Sequence, residues 1–415
     1  MTPPRLRVGL LATHPIQYYV PWYRLLAQQV DLEVCYCQQL TPRAQAVDFG
    51  GAFAWDVPLL EGYHHRFLVN RARQPNVSAF FGCDTPEIGR LIAQEKFDAF
   101  IVHGWALKSF WQAILACWHT RTPVLVRGDS QLPAKRGGGL RALKFPLYRW
   151  FIPRFDGYLV VGERAGEYLR YYGARSERMF FSPHAVDNEF FARRAAVARS
   201  TREERRRSWG LPSDAVVYLF AGKCVARKHL EDFVRAIATA SRGQSRVWGL
   251  VVGDGPLRAP LEAQARRQGW PLRFVGFLNQ TEIPTAYAVS DALVLPSDAT
   301  ETWGLVVNEA MASGLPAFVS DQVGCAPDLI LPEQTGHVFP CGQVDSLAEL
   351  MLRHADLPTS LATLGAHARL HIQRYSLAQA VEGTLAAFHA VGTGRAAPHD
   401  WRPTTTVSEE RRLHG

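Results

Sequence analysis

The chain has 415 residues, 47% of them apolar and 20% charged, with a formal net charge of +8. That length exceeds one compact core, so two domains are expected, and the composition excludes a disordered or fibrous protein. No apolar run reaches the roughly 18 residues of a membrane-spanning helix, and an odd, scattered set of 7 cysteines without a CxxC pair points to a reduced, cytoplasmic setting.

The opening MTPPRLRVGLLATHP enters a strand pattern directly and shows no signal-peptide cleavage site. RVGLLAT, LEVCYC, FDAFIVHG, PVLVRG and GYLVVG then read as buried strands, with helices over 21–29 and 107–118. Cys35 and Cys37 share one face of their strand and read as core filler. No acid stands between Asp129 and Asp156, and KRGGGLRALKFPLYRWFIPRF interleaves basic residues with Leu, Phe, Tyr and Trp. Such a segment can lie in the headgroup region of an anionic bilayer. A helix packed on the first domain, with its basic edge in water, accounts for it equally well, and Pro146 argues against one long helix. The join between domains is expected near 192–210, where RSTREERRRSWG reads as a solvated helix capped by Ser200 or Thr201, its arginines an exposed charged face.

In the second half the strands are AVVYLFAG, RVWGLVVG, LRFVGF, DALVLP and PAFVS, separated by helices. A last helix is expected over 377–391, and residues 393–415 have the polar, Gly/Pro-rich composition of a disordered tail. Alternating short apolar and longer amphipathic runs predict an α/β protein with two doubly wound parallel sheets, one domain over 1–195 and the other over 200–376. The positive charge suits an anionic partner. With no recognition helix, zinc finger or RNA-binding signature, no nucleic-acid partner is expected.

Candidate chemistry gathers at strand ends, where open α/β sheets bind ligands. Lys223 and Lys228 follow the strand VVYLFAG. For a lone lysine, surface solubility would be the ordinary explanation. Gly253-Asp254-Gly255-Pro256 makes a tight turn after VWGLVV, a weak dinucleotide fingerprint because it lacks the third glycine and the helix it should open. Phe277 follows LRFVG. After DALVLP comes SDATETWGLVVNEAMASGLP, in which a helix starts near Gly304. Free amides and the positive end of the dipole make such a start a phosphate site. Glu301 lies just ahead of it and Glu309 about one and a half turns inside, so the two acids can grip different parts of one ligand; an acid near a helix start can also be a simple cap. The coincidence of lysine pair, GDGP turn and E-x7-E in successive strand ends favours a site.

The order AGK-x4-K, GDGP, FVGF and PSDATETWGLVVNEAMASGLP resembles the donor half of retaining GT-B glycosyltransferases of family 4, the group 1 glycosyltransferases. The likeness spans roughly 216–339. It implies two Rossmann-like domains facing a cleft, with the last helix returning to the first domain. By that resemblance Lys228 binds the donor diphosphate and Lys223 stands where the family usually has arginine, keeping the charge but losing a bidentate fork. Glu309 would bind the nucleotide ribose and Glu301 the hydroxyls of the transferred sugar. The backbone at Gly304, Leu305 and Val306 would contact the diphosphate, with Gly253 and Phe277 completing the donor site. In the first half VHGW places His103 where many members have a histidine beside the donor sugar and acceptor, although a lone histidine is often structural. SPHAVD, with Asp187, resembles the motif closing the first domain. The loop THPIQYYVP departs from the family's Gly-rich loop; His14 and Gln17 stand there as acceptor-side candidates, as do Arg127 and Asp129 of RGDS at another strand end.

The resemblance implies retaining transfer of a sugar from a UDP-, GDP- or similar nucleotide sugar to a hydroxyl of a glycan or lipid-linked acceptor, with Glu301, His103 and Lys228 as the catalytic set. Two lysines and a helix start would stabilise the departing diphosphate, and with no DxD or histidine cluster no metal and no cofactor are expected. Polysaccharide or glycoconjugate synthesis at the inner face of a cytoplasmic membrane would suit such an enzyme. A phosphorylase or nucleotide-sugar epimerase on the same fold, and a non-catalytic nucleotide-sugar-binding subunit, are the competing readings.

Overall fold

Strands apolar along their whole length need both faces covered, and helices supply that cover in a parallel sheet. The computed structural model describes residues 5–45, 51–132 and 138–393 and follows this rule in two units. The first unit takes in the chain up to Gln39, Leu59–His184 and the chain from Leu377; the second takes in Leu40–Pro58 and Ala185–Ser376.

The first sheet holds β1 (Arg7–Ala12), β2 (Asp31–Tyr36), β3 (His64–Phe67), β4 (Ala99–Val102), β5 (Val124–Gly128), β6 (Gly157–Val160) and β7 (Met179–Phe181), all parallel, in the order β3-β2-β1-β4-β5-β6-β7. Val8, Leu10, Ile101, Leu125 and Leu159 fill one layer of its core. The last helix, Leu377–Thr393, packs on this sheet. It adds Ala380, Ala387 and Phe388 to the core, and the Ser182 hydroxyl donates to the Ala380 carbonyl at 3.0 Å.

The second sheet holds β8 (Val216–Ala221), β9 (Val247–Val252), β10 (Leu272–Gly276), β11 (Ala292–Leu295), β12 (Ala317–Ser320) and β13 (Gly336–Phe339), again all parallel, in the order β10-β9-β8-β11-β12-β13. The order reverses between β8 and β11, so the loops after these two strands diverge and open a crevice at the C-terminal edge. Tyr218, Phe220, Phe233, Ile237, Val251 and Phe318 form the core behind them.

Four expectations change. The helix Asn188–Arg199 packs against the helices Ile283–Val289 and Leu305–Ala312, so the first unit closes at His184 rather than near residue 195. Ser200 and Thr201 do not cap the following helix, Arg202–Ser208: their hydroxyls donate back to the carbonyls of Val197 and Ala198, which also accept the amides of Ser200 and Thr201 where the preceding helix ends. The arginines of that stretch are not all solvated, because Arg206 is 4% exposed and bonds the carbonyls of Val289, Ser213 and Ala215 and the carboxylate of Asp291. Pro146 lies inside one helix, Gly138–Phe151. The proposed tail falls outside the described residues from residue 394 onward.

Candidate functional site

Because every strand of the second sheet is parallel, the loops after β8, β9, β10 and β11 share one edge. The loop after β8 carries Lys223 and then a short 3₁₀ helix, Ala226–Lys228. The amide of Asp298, in the loop after β11, donates to the carbonyl of Arg227 at 3.1 Å and ties the two loops together. That contact brings Lys228, 9% exposed, onto Glu301: Nζ pairs with the carboxylate Oε2. A lysine and a glutamate far apart in sequence thus meet at the switch point of the sheet. Lys223 lies half-buried at the start of the same turn.

Gly304 precedes the helix Leu305–Ala312 with φ of 102°. A Cβ there would stand 2.7 Å from Leu295 Cδ2, so both backbone conformation and space require glycine. Leu305 and Val306 form the first turn, whose amides have no intrahelical acceptor. Trp303 Nε1 donates to the buried Asn308 Oδ1 at 2.9 Å and fixes the entry to the helix. Glu309, a turn further in, is 2% exposed and accepts from the Tyr287 hydroxyl at 2.5 Å. Tyr287 gave no signal in the sequence, since it lies in a mostly apolar helix, Ile283–Val289.

Gly253 and Phe277 lie at this edge too, each with a structural contact of its own. The Gly253 amide donates to the Gly276 carbonyl at 2.8 Å, and a Cβ on it would meet the Gly222 carbonyl at 1.9 Å; the residue lets two strand-end turns touch. The GDGP turn does open a helix, Arg258–Arg267. Phe277 packs its ring 4.5 Å from that of Phe53, which meets Trp55 edge-on at 5.0 Å. Asn279 and Thr281 bond the backbone of Ala54 and the side chain of Asp56, seating this stretch on the second unit.

In the first unit the same logic gathers His103 after β4, Asp129 after β5 and His184 after β7. Tyr19 stacks on His103 with ring centroids 4.8 Å apart and on His184 at 6.0 Å, and the Tyr23 hydroxyl meets His103 Nε2 at 3.1 Å. Arg127, 2% exposed, lies over the Trp22 ring at 4.8 Å and donates to the carbonyls of Ser182 and Pro183. It holds the loop that carries His184, whose Nε2 stands 3.7 Å from the more exposed Asp129. In SPHAVD the residue that joins this cluster is therefore His184, while Asp187 caps the helix Asn188–Arg199 by accepting from the Phe190 amide at 2.9 Å. His14 bonds Thr13 Oγ1 at 2.9 Å, and Gln17 lies half-buried in the loop before Tyr19.

Burial, aided by the nearby Arg127 and His184, pushes the His103 imidazole down to about 3, and burial pushes His14 down to about 4. His184 is lowered as well, mainly by burial, against the pull of Asp129. These imidazoles are neutral near pH 7 and can exchange hydrogen bonds with a polyol. The linkage has a definite sign. Each folded-state value lies below the ordinary 6.5, so the unfolded chain binds protons first as pH falls. Their contribution to stability is fully present above pH 6.5 and declines from there toward 3. Melting temperature measured against pH should fall through that window, and His103→Asn should flatten part of the decline; an unchanged slope in the variant would contradict it.

Two family models match the chain, one described as Glycosyltransferase Family 4 over residues 23–190 and one as Glycosyl transferases group 1 over residues 201–371. A 2-deoxystreptamine glucosyltransferase of Streptomyces kanamyceticus is 33% identical over 219 residues, covering 51% of this chain and 54% of that protein. A D-inositol 3-phosphate glycosyltransferase of Streptomyces bingchenggensis is 30% identical over 298 residues, covering 68% of this chain and 62% of its own. The chain thus spans between about half and just under two thirds of the length of these relatives. Among solved structures, Anabaena Alr3699/HepE in complex with UDP superposes with a TM-score of 0.70 at 15% identity, over 93% of this chain and 100% of that one. At such identity the likeness speaks for the fold, two Rossmann-like units of the GT-B type. With one family model on each half of the chain, this protein belongs to the group 1 glycosyltransferases of glycosyltransferase family 4.

Proposed function

We propose that the chain transfers a sugar from a nucleoside diphosphate sugar to a hydroxyl of a glycan or lipid-linked acceptor, with the anomeric configuration retained and without a metal. The observation that carries this reading is the second unit's strand edge, where Lys223, the Lys228–Glu301 pair, the helix start at Gly304 and the buried Glu309 lie together. In the transfer the bond from the anomeric carbon to the β-phosphate oxygen breaks while the acceptor oxygen bonds to the same face of that carbon. The acceptor's proton passes to the departing phosphate. Lys223, Lys228 and the first-turn amides of Leu305 and Val306 would take up the charge that grows on the diphosphate; a preorganised donor of this kind contributes roughly 2.7–4 kcal/mol. Glu309 would hold the ribose and Glu301 the sugar hydroxyls. The neutral His103 and the carboxylate of Asp129 are groups suited to a sugar or acceptor hydroxyl. The glycosyltransferase names of the relatives support the same class of reaction.

A bilayer-borne acceptor would suit one face of the first unit. Leu147 and Trp150 are half exposed there, Phe145 partly so, and Arg154 lies over the Trp150 ring at 4.1 Å. Among the described residues no helix is long and apolar enough to cross a membrane, so the contact would be peripheral.

Incubation with UDP- and GDP-sugars, each with and without an acceptor panel, tests the reading. Acceptor-dependent release of the nucleoside diphosphate, a product of unchanged anomeric configuration and a rate unaffected by chelator are expected. Sugar interconversion without acceptor would establish the epimerase alternative instead, and binding without any turnover the non-catalytic one. Flotation with anionic vesicles at low salt tests the membrane contact, and protein left in the bottom fraction would end that part.

A further inference from the structure

The second unit contains a cavity of about 750 Å³ that takes no part in the site described above. It opens at the other edge of the sheet. Asp291, just ahead of β11, and Gly314 and Leu315, just ahead of β12, line it, whereas the candidate donor residues all follow the strands' C-terminal ends.

Three guanidinium groups line this cavity, those of Arg199, Arg202 and Arg369, beside an apolar wall that includes Leu361 and Leu370. Asp291 is the one carboxylate of the lining, and it is already engaged. It accepts from Arg202 at 2.6 Å, from the buried Arg206 at 2.8 Å and from the Val217 amide at 2.8 Å. Arg199 donates to the carbonyl of Ser313, at the end of the helix Leu305–Ala312. Burial, and then the like charges of Arg202 and Arg369, hold its guanidinium below the ordinary arginine range, so the positive charges around this concavity repel one another. The Arg369 side chain is exposed and makes no ion pair or side-chain hydrogen bond among the described residues. With Asp291 paired to Arg202 and Arg206, the concavity keeps a net positive charge that concentrates anions, and guanidinium forks match phosphate oxygens.

We propose that this cavity binds a small phosphorylated ligand, with Arg369, Arg199 and Arg202 holding its phosphoryl oxygens and Leu361 and Leu370 lying against its carbon skeleton. The phosphoryl group could belong to a free metabolite or to the headgroup of an anionic phospholipid. The cavity lies at the opposite sheet edge from the proposed transfer site, so the two readings stand or fall separately.

The test uses the full chain carrying Lys223→Ala and Lys228→Ala, which removes the competing phosphate contacts of the donor site. Glycerol 3-phosphate at constant ionic strength should raise the melting temperature, and glycerol should not, because a ligand of the native state shifts unfolding. Arg369→Ala should raise the Kd measured by calorimetry about tenfold, a loss of one charge-assisted contact, and Arg369→Glu should abolish the shift. Both variants should melt like their parent without ligand, since Arg369 holds no other side chain. No stabilisation by glycerol 3-phosphate, or stabilisation that survives Arg369→Glu, overturns the proposal. Vesicles of phosphatidylglycerol and phosphatidylcholine then assign the source: phosphatidylglycerol-specific flotation lost in Arg369→Glu means a lipid headgroup. Flotation that is absent, or unchanged by that substitution, means a free ligand.

Discussion

Lys228→Ala is expected to lower kcat by about 10²–10³-fold at saturating donor, the effect of deleting one preorganised donor to a developing oxyanion. The lysine is almost buried and ion-paired with Glu301, so its ammonium is already held in place before a ligand arrives. A group fixed in this way has little reorganisation left to undergo as the diphosphate departs. The same pairing predicts a second, separable effect. Removing the ammonium strands the carboxylate of Glu301, whose side chain is only 15% exposed, and a poorly solvated group without its partner costs ~1–3 kcal/mol. The single variant should therefore melt below wild type, while Lys228→Ala combined with Glu301→Gln should recover the melting temperature without recovering turnover. Lys228→Arg should fall between, because a planar fork replaces a compact point charge. Near-wild-type kcat in Lys228→Ala, in protein that folds normally, would remove the lysine from the reaction.

What could be read ahead of the structure follows from how local each feature is. The helix at Leu305 was legible because its glycine, its apolar run and its two acids are contiguous, and a strand–turn–helix fixes their relation within one stretch of chain. The meeting of Lys228 with Glu301 was legible only through a family resemblance, since it depends on β8 and β11 being neighbours across the reversal of strand order. β3, β7 and β13 were missed for a different reason: each has three or four residues, and β3 and β13 carry histidines or an arginine where a buried run would be apolar. Arg206 and Arg127 show the limit most plainly. Nothing in RSTREERRRSWG or PVLVRG says that a guanidinium is buried, because the carbonyls that accept from Arg206 come mostly from Val289, Ser213 and Ala215 and those that accept from Arg127 come from Ser182 and Pro183. Long arginine side chains accept burial when carbonyls converge on them, and such convergence is a property of the packed fold.

Glu309→Gln and Glu301→Gln should differ in kind, and the contacts of the ligand-free protein sharpen the difference. Glu309 is buried and anchored by the Tyr287 hydroxyl within the helix whose start would receive the diphosphate. If its carboxylate holds the ribose, the bare nucleoside diphosphate depends on it, and the substitution should raise the Kd of that nucleotide by about 10–100-fold, the worth of a charge-assisted hydrogen bond of ~1.5–3 kcal/mol. Glutamine can still accept from Tyr287, so the melting temperature should change little. Tyr287→Phe, which frees the carboxylate to wander, should weaken nucleotide binding more than it lowers kcat. Glu301 stands on the other side of Gly304, paired to Lys228, where a sugar's hydroxyls would lie. Glu301→Gln should leave nucleoside diphosphate affinity unchanged or somewhat tighter, because the carboxylate that competes with the diphosphate for Lys228 is gone. Its kcat should nevertheless fall, since the lost contact is one that strengthens as positive charge develops on the sugar. Calorimetric titration of both variants with the bare nucleotide, beside steady-state rates, separates the two roles: equal loss of nucleotide affinity in both, or full kcat in Glu301→Gln, would refute the division of labour between the acids.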